Sequence, residues 1–224
     1  LAVRAVVAEA QREAANLHFF LTMQTLIATL EARDPYTRRH SQNVAVYSVI
    51  TARELGLPEA QVRDLYVGAS LHDIGKVGTR DDILLKPGRL TAQEYKIIQQ
   101  HPAIGGKILG PSSFPVEVAE MVLHHHERLD GTGYPDHLGG QDLNLAARIC
   151  AVADVFDAMR SMRHYRPAHE LDTVVNHLRQ EGPSLFGADV VQAFLAALRS
   201  PTSAEILLVA QRPRPNNNSQ NSDH

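Results

Sequence analysis

Leu65-Tyr66-Val67-Gly68-Ala69-Ser70-Leu71-His72-Asp73-Ile74-Gly75-Lys76 is the stretch on which the fold turns. Leu57-Pro58-Glu59 opens a helix, since proline suits a first turn, and Val62, Leu65, Tyr66 and Ala69 carry it at helical spacing to His72. Gly75 and Gly78 end it. A largely apolar helix that finishes on adjacent histidine and aspartate must give both a partner, because an unpaired buried carboxylate is costly.

Helical signals continue on both sides of this stretch. Upstream, Asp34-Pro35-Tyr36-Thr37 is a helix start, Val44, Ala45, Ser48, Val49, Ala52 and Leu55 follow at helical spacing, and Gly56 stops the helix. Downstream, 83–89 reads as a loop, and Thr91 with Glu94 forms a capping box that opens the next helix. His101-Pro102 interrupts that helix, and further helices are predicted over 103–109, 116–127, 145–162, 172–180 and 189–198. Asp130-Gly131-Thr132-Gly133-Tyr134-Pro135 is turn chemistry. No alternating strand pattern occurs, so the predicted fold is all-α, a helical bundle.

Three regions follow from this reading: an N-terminal helix over 1–33, a catalytic domain over 34–200 and a tail over 201–224. In the first, Val3, Val7, Ala10, Ala14, Leu17, Leu21 and Ala28 recur at four- and three-residue spacings, broken only at Gln24. That stripe fits either a helix packed on its own domain or a homodimerising helix that carries signals from an upstream sensor or receiver domain. A start at Leu1 fits an excised piece of a longer chain. The tail, rich in Pro, Asn and Ser, has too little apolar area to order itself.

Composition narrows the function classes. Of 224 residues 44% are hydrophobic and 21% charged, as in an ordinary globular chain, and the net charge of −3 leaves no broad electrostatic case for a nucleic-acid polymer. One cysteine, Cys150, rules out an internal disulfide framework. With no run long enough to span a membrane and no signal peptide, the expected location is cytoplasmic. The unusual feature is histidine: 12 in all, ten of them between His40 and His177. His40, His72, His101, the run His124-His125-His126, Asp73 and Asp154 all lie on or beside apolar helical stretches. Imidazole nitrogen with carboxylate oxygen is a ligand set for borderline divalent metals, and a helical bundle fed by several helices is a common place to build such a site.

In order along the chain, Asp34-Pro-Tyr-Thr-Arg-Arg-His40-Ser, His72-Asp73-Ile-Gly-Lys76, Ile83 to Thr91 with His101-Pro102 and Gly105, His125-His126-Glu-Arg-Leu-Asp-Gly-Thr-Gly133-Tyr134-Pro135, and Arg148 to Met159 around Asp154 resemble the HD-GYP phosphodiesterases, a branch of the HD-domain metal-dependent phosphohydrolases. The likeness covers about 34–198. It implies His40, His72, Asp73, His101, His125, His126 and Asp154 as metal ligands, with Asp73 bridging two divalent cations. His40, His72 and Asp154 would complete one site and His101, His125 and His126 the other. His124 has no counterpart and reads as a helix-surface histidine. Lys76 would reach a phosphate oxygen, and Gly133 and Tyr134 would border the substrate cleft. Arg163 and Arg166 match basic positions that grip a dinucleotide, a task that suits a planar guanidinium.

The resemblance implies hydrolysis of cyclic di-GMP to pGpG, and on to GMP, in bacterial second-messenger signalling, with water activated between two cations and Asp73 and Lys76 at the reaction centre. Iron or manganese is the implied metal, while the ligand mix would also accept zinc, nickel or cobalt. A diguanylate cyclase is the implied partner of the GYP loop. Two rivals remain: an HD-type phosphohydrolase for another cyclic dinucleotide or a nucleotide, and a catalytically silent interaction or receptor module. His164, Leu129 and the segment 183–189 depart from the family pattern, and so does Tyr36, where one subset has a glutamate that helps hold a third metal. A neutral phenol, with an ordinary pKa of about 10, cannot replace that charge, so two metals are expected.

Overall fold

The computed structural model describes residues 11, 21–29, 35–110, 114–161 and 168–201, with the backbone alone at 35–38. Among them the elements are α1 (Pro35–Glu54), α2 (Glu59–Leu71), a 3₁₀ turn (Ile74–Gly78), α3 (Asp81–Leu84), α4 (Ala92–Ile98), α5 (His101–Leu109), α6 (Val116–His124), α7 (Leu145–Arg160), α8 (Leu171–Gln180), α9 (Gly182–Phe186) and α10 (Ala188–Ala197), with a short 3₁₀ turn at Gly140–Asp142. The chain is all-α, as expected. Among the described residues the only extended pairing is an isolated bridge between Asp130 and Gly139.

Two apolar clusters hold the bundle. The larger joins α1, α2, α7, α8, α9 and α10 through Val44, Tyr47, Leu65, Ile149, Phe156, Leu178 and Phe194, all buried. The smaller joins α2, the first 3₁₀ turn, α5 and α6 through Val67, Leu71, Ile74, Leu109, Val118 and Val122. The histidines and aspartates of interest sit on the elements of both clusters.

Several boundaries differ from expectation. Pro58 stands one residue before α2 rather than inside its first turn. The 83–89 region is not wholly loop, since α3 includes Ile83, which is buried. A short helix, α9, occupies much of 183–189, and Arg148 ties it to α10 by donating to the Phe186 carbonyl (3.2 Å) and to Asp189 Oδ1 (3.0 Å). The capping box at Thr91 forms: Thr91 Oγ1 accepts from the Glu94 amide, and Glu94 Oε2 accepts from the Thr91 amide at 2.7 Å.

Residues 21–29 are helical. Met23 is buried in the smaller cluster with Leu26 and Ile27 against it, whereas Leu21 and Ala28, members of the predicted stripe, face outward. The domain-facing side is thus offset from the stripe. The rest of that stripe, and most of the predicted tail, lie outside the described residues. Among the described residues no helix is long and apolar enough to cross a membrane.

Candidate metal centre

Helix ends bring most of the cluster together. His72 caps the C-terminus of α2 and Asp73 follows it, His101 is the first residue of α5, and His125 caps the C-terminus of α6 with His126 next. His40 and Asp154 come instead from within α1 and α7. The approach of the first 3₁₀ turn to α5 depends on Gly75: a Cβ there would lie 1.9 Å from the His101 carbonyl oxygen and 2.6 Å from the Gly105 amide nitrogen. Only glycine lets the two backbones meet so closely.

The side chains converge in two groups that could each hold a metal ion: His40, His72 and Asp73 in one, His101, His125 and His126 in the other. Asp73 faces both. Its Oδ2 lies 3.4 Å from His72 Nε2 and its Oδ1 3.3 Å from His101 Nε2. Asp154 flanks the first group, with Oδ1 3.1 Å from His40 Nε2, and reaches toward His126, with Oδ2 3.9 Å from Nδ1. Lys76 donates to Asp73 Oδ2 at 2.6 Å. His40, His72, Asp73, His101 and His125 are buried, while His126 and Asp154 are partly open.

Three features fit these residues to divalent cations. His72 Nε2 is buried and makes no hydrogen bond. His101 and His125 each turn Nδ1 to a backbone carbonyl, of Ile98 at 2.7 Å and Val122 at 2.8 Å, so their Nε2 atoms present lone pairs to one another only 3.2 Å apart. Facing lone pairs repel unless a cation is shared. The donor set of imidazoles and carboxylates is also one that divalent transition metals accept.

The protonation balance runs the same way. Burial lowers the His101 imidazole to about 4, and burial reinforced by neighbouring imidazoles holds His125 and His126 well below the ordinary value. Neutral imidazole is the ligating form. Burial also opposes charge on His40, but hydrogen bonds to Asp154 and Asp157 outweigh it and raise the ring to about 9. Burial would raise Asp73, yet Lys76 and His72 hold it well below the carboxylate range, and His40 does the same for Asp154.

The expected cleft residues border this centre. The Tyr134 ring lies over His126, centroids 4.8 Å apart and planes 31° from parallel. Gly133 packs on the chain that carries the histidines, where a Cβ would come within 2.3 Å of Glu127 Cα. Arg163 and Arg166 lie outside the described residues, as does the Tyr36 side chain.

His124 is a correction. It is buried rather than on the helix surface, held between Asp136 Oδ2 at 3.0 Å and Glu120 Oε2 at 3.3 Å. Sequence reasoning gave Asp157 no role, and considered Glu127 only as a possible support for a third ion. Asp157 Oδ2 lies 2.7 Å from His40 Nδ1, and the argument that a carboxylate in an apolar helix needs a partner applies to it as fully as to Asp154. Glu127, fully buried, accepts the Asp136 amide at 2.6 Å through Oε1, so it ties the two ends of the GYP segment together.

A helical bundle with paired histidine and aspartate at the end of its second long helix defines an HD-type domain, and residues 24–190 match the HD domain family. A cyclic di-GMP phosphodiesterase of Thermotoga maritima is 42% identical over 178 residues, 79% of this chain and 48% of that protein. The cyclic di-GMP phosphodiesterase response regulator RpfG of Xanthomonas campestris is 40% identical over 176 residues, 78% of this chain and 47% of that one. Among solved structures, a cyclic GMP-AMP-specific phosphodiesterase of Vibrio cholerae, V-cGAP3, shares the fold with a TM-score of 0.63 at 18% identity, over 85% of this chain and 50% of that one. The chain belongs to the HD-domain family, in its HD-GYP branch. It spans about half the length of the curated relatives it matches.

Proposed function

We infer that the chain is the catalytic unit of a cyclic di-GMP phosphodiesterase, which opens the cyclic dinucleotide to pGpG at a centre of two divalent cations. The observation that carries this reading is Asp73, whose two oxygens face the two histidine groups separately. His40, His72 and Asp154 would hold one ion and His101, His125 and His126 the other, with Asp73 shared. Such ions, when bound, lower the pKa of water and offset charge on phosphate oxygens.

The chain's own residues supply the rest. Asp73 and Asp154 balance the positive charge in the cleft. Lys76 sits on the Asp73 carboxylate and is partly open, so its ammonium can turn to a phosphate oxygen as charge develops there. Tyr134, its ring tilted over His126, offers a face for a nucleobase or sugar and narrows the cleft beside the scissile bond. Arg163 and Arg166 would grip the dinucleotide beyond α7.

Iron is the first choice of metal and manganese the second. A cytoplasmic setting fits the single, buried cysteine. The outward-facing Leu21 and Ala28 fit a helix that pairs with a second copy below an upstream sensor domain. The reading is tested with protein purified without oxygen, incubated with cyclic di-GMP, 3′3′-cyclic GMP-AMP, cyclic di-AMP and mononucleotides. Appearance of pGpG from cyclic di-GMP in preference to the others supports it; hydrolysis of another ring alone, or binding without turnover in fully metallated protein, overturns it.

A further inference from the structure

His72, His101 and His125 are oriented by one device. Each turns Nδ1 to the carbonyl three residues earlier, of Ala69 at 2.8 Å, Ile98 at 2.7 Å and Val122 at 2.8 Å. Those carbonyls lie in the last turns of α2, α4 and α6, where intrahelical donors run out. An Nδ1–H donated there leaves Nε2 as the lone pair that faces the centre. The main chain does the orienting, so no side-chain change removes it.

His40 cannot use this device. It stands inside α1, where the carbonyls one turn back are occupied by the helix's own amides. Its Nδ1 is met instead by Asp157 Oδ2 at 2.7 Å, from α7. The Asp157 carboxylate is buried, and each of its oxygens is in use: Oδ1 accepts from Asn43 Nδ2 at 2.8 Å, and Oδ2 also accepts from Ser161 Oγ at 3.2 Å. Three donors thus surround an acceptor-only group, which ties it to holding the ring rather than binding a cation. Asp154, one turn earlier on α7, meets the other nitrogen of the same ring at 3.1 Å.

We propose that Asp157, braced by Asn43, is a positioning residue that fixes the tautomer and plane of His40 and so supports one of the two metal ions selectively, the one on the His40, His72 and Asp154 side. This rests on the two-metal reading above. On the other side His101 and His125 are set by main-chain carbonyls and His126 makes no contact with Asp157, so the ion there should be indifferent to residue 157. Outer-shell partners of ligating histidines typically affect metal affinity by about 10–100-fold.

Manganese alone is the probe, titrated into the full chain after chelator treatment, with binding followed by calorimetry and electron paramagnetic resonance. The unsubstituted chain is expected to take two ions per chain and give the spectrum of an exchange-coupled pair. Asp157→Ala should weaken one ion by about 10–100-fold, leave the other unchanged and replace the coupled spectrum with that of an isolated ion. Asp157→Asn keeps an oxygen for His40 Nδ1–H, with the Asn43 amide turned to match, and should retain the coupled pair. Should the alanine variant fail to fold, Asp157→Leu fills the space without an acceptor and serves the same test. Two ions at unchanged affinity in a folded variant without an acceptor, or equal weakening of both, overturns the proposal. Fewer than two ions in the unsubstituted chain overturns the two-metal reading itself.

Discussion

At the scale of single residues the centre is a problem of charge brought out of water. Asp73 is buried among His72, His101 and Lys76, with each oxygen engaged on a different side. On the two-metal reading, removal of that carboxylate would leave two cations with unrelieved repulsion and one ligand fewer apiece. Asp73→Ala should therefore lose both metals, with turnover reduced by more than about a hundredfold, since even outer-shell losses reach that scale. Metal analysis beside kinetics checks it, and retention of both ions with near-normal turnover would refute the bridging role. Gly75 is equally exposed to substitution because a methyl group there meets backbone rather than a yielding side chain. Gly75→Ala should cost about 1–3 kcal/mol, at the upper end because α5 itself must shift, and should weaken metal binding through His101. Urea unfolding of the metal-free chain measures the first effect and metal titration the second.

At the scale of elements, α1 and α7 do what helix ends cannot: they bring His40 against Asp154 and Asp157 across the larger apolar cluster. Tyr36 lies in the first turn of α1, one turn before His40. With no carboxylate at that position the chain should hold two metals, and Tyr36→Glu should gain a third. Anomalous scattering at the iron edge counts them, and three full sites in the unsubstituted chain would overturn this. Just beyond the other end of α7, Arg163 is predicted to act in binding. Arg163→Ala should raise KM about tenfold or more, the scale of a hydrogen bond to a charged group, with kcat little changed. An unchanged KM with abolished kcat would count against it. The helices and the histidine positions were legible because periodicity, glycine stops and the Thr91 capping box act locally. Asp157 was not, because its meaning depends on His40, 117 residues away. The burial of His124 was hidden for the same reason: Asp136 reaches it only through the fold of the GYP segment.

At the scale of the whole molecule, the buried imidazoles make stability depend on pH in two opposite ways, and the chain without bound cations should show both. His101 falls to about 4 in the fold from an ordinary 6.5, and His125 and His126 are lowered as well. Between those values the unfolded chain binds protons that the fold refuses. Stability therefore drops as pH falls from about 6.5 to 4, by about 1.4 kcal/mol per pH unit for each proton, and the lowered Asp73 and Asp154 extend the loss further into acid. His40 works the other way. Raised to about 9, it keeps a proton in the fold that the unfolded chain sheds above about 6.5, so its contribution is complete below 6.5 and is lost as pH rises through 9. The melting temperature of chelator-treated protein should thus pass through a maximum near neutral pH. Saturating manganese should flatten the alkaline limb, because a ligating His40 has already given up its proton. A melting temperature that holds steady or climbs from pH 6.5 to 9 without metal would mean that the His40, Asp154 and Asp157 cluster does not hold a proton between its members.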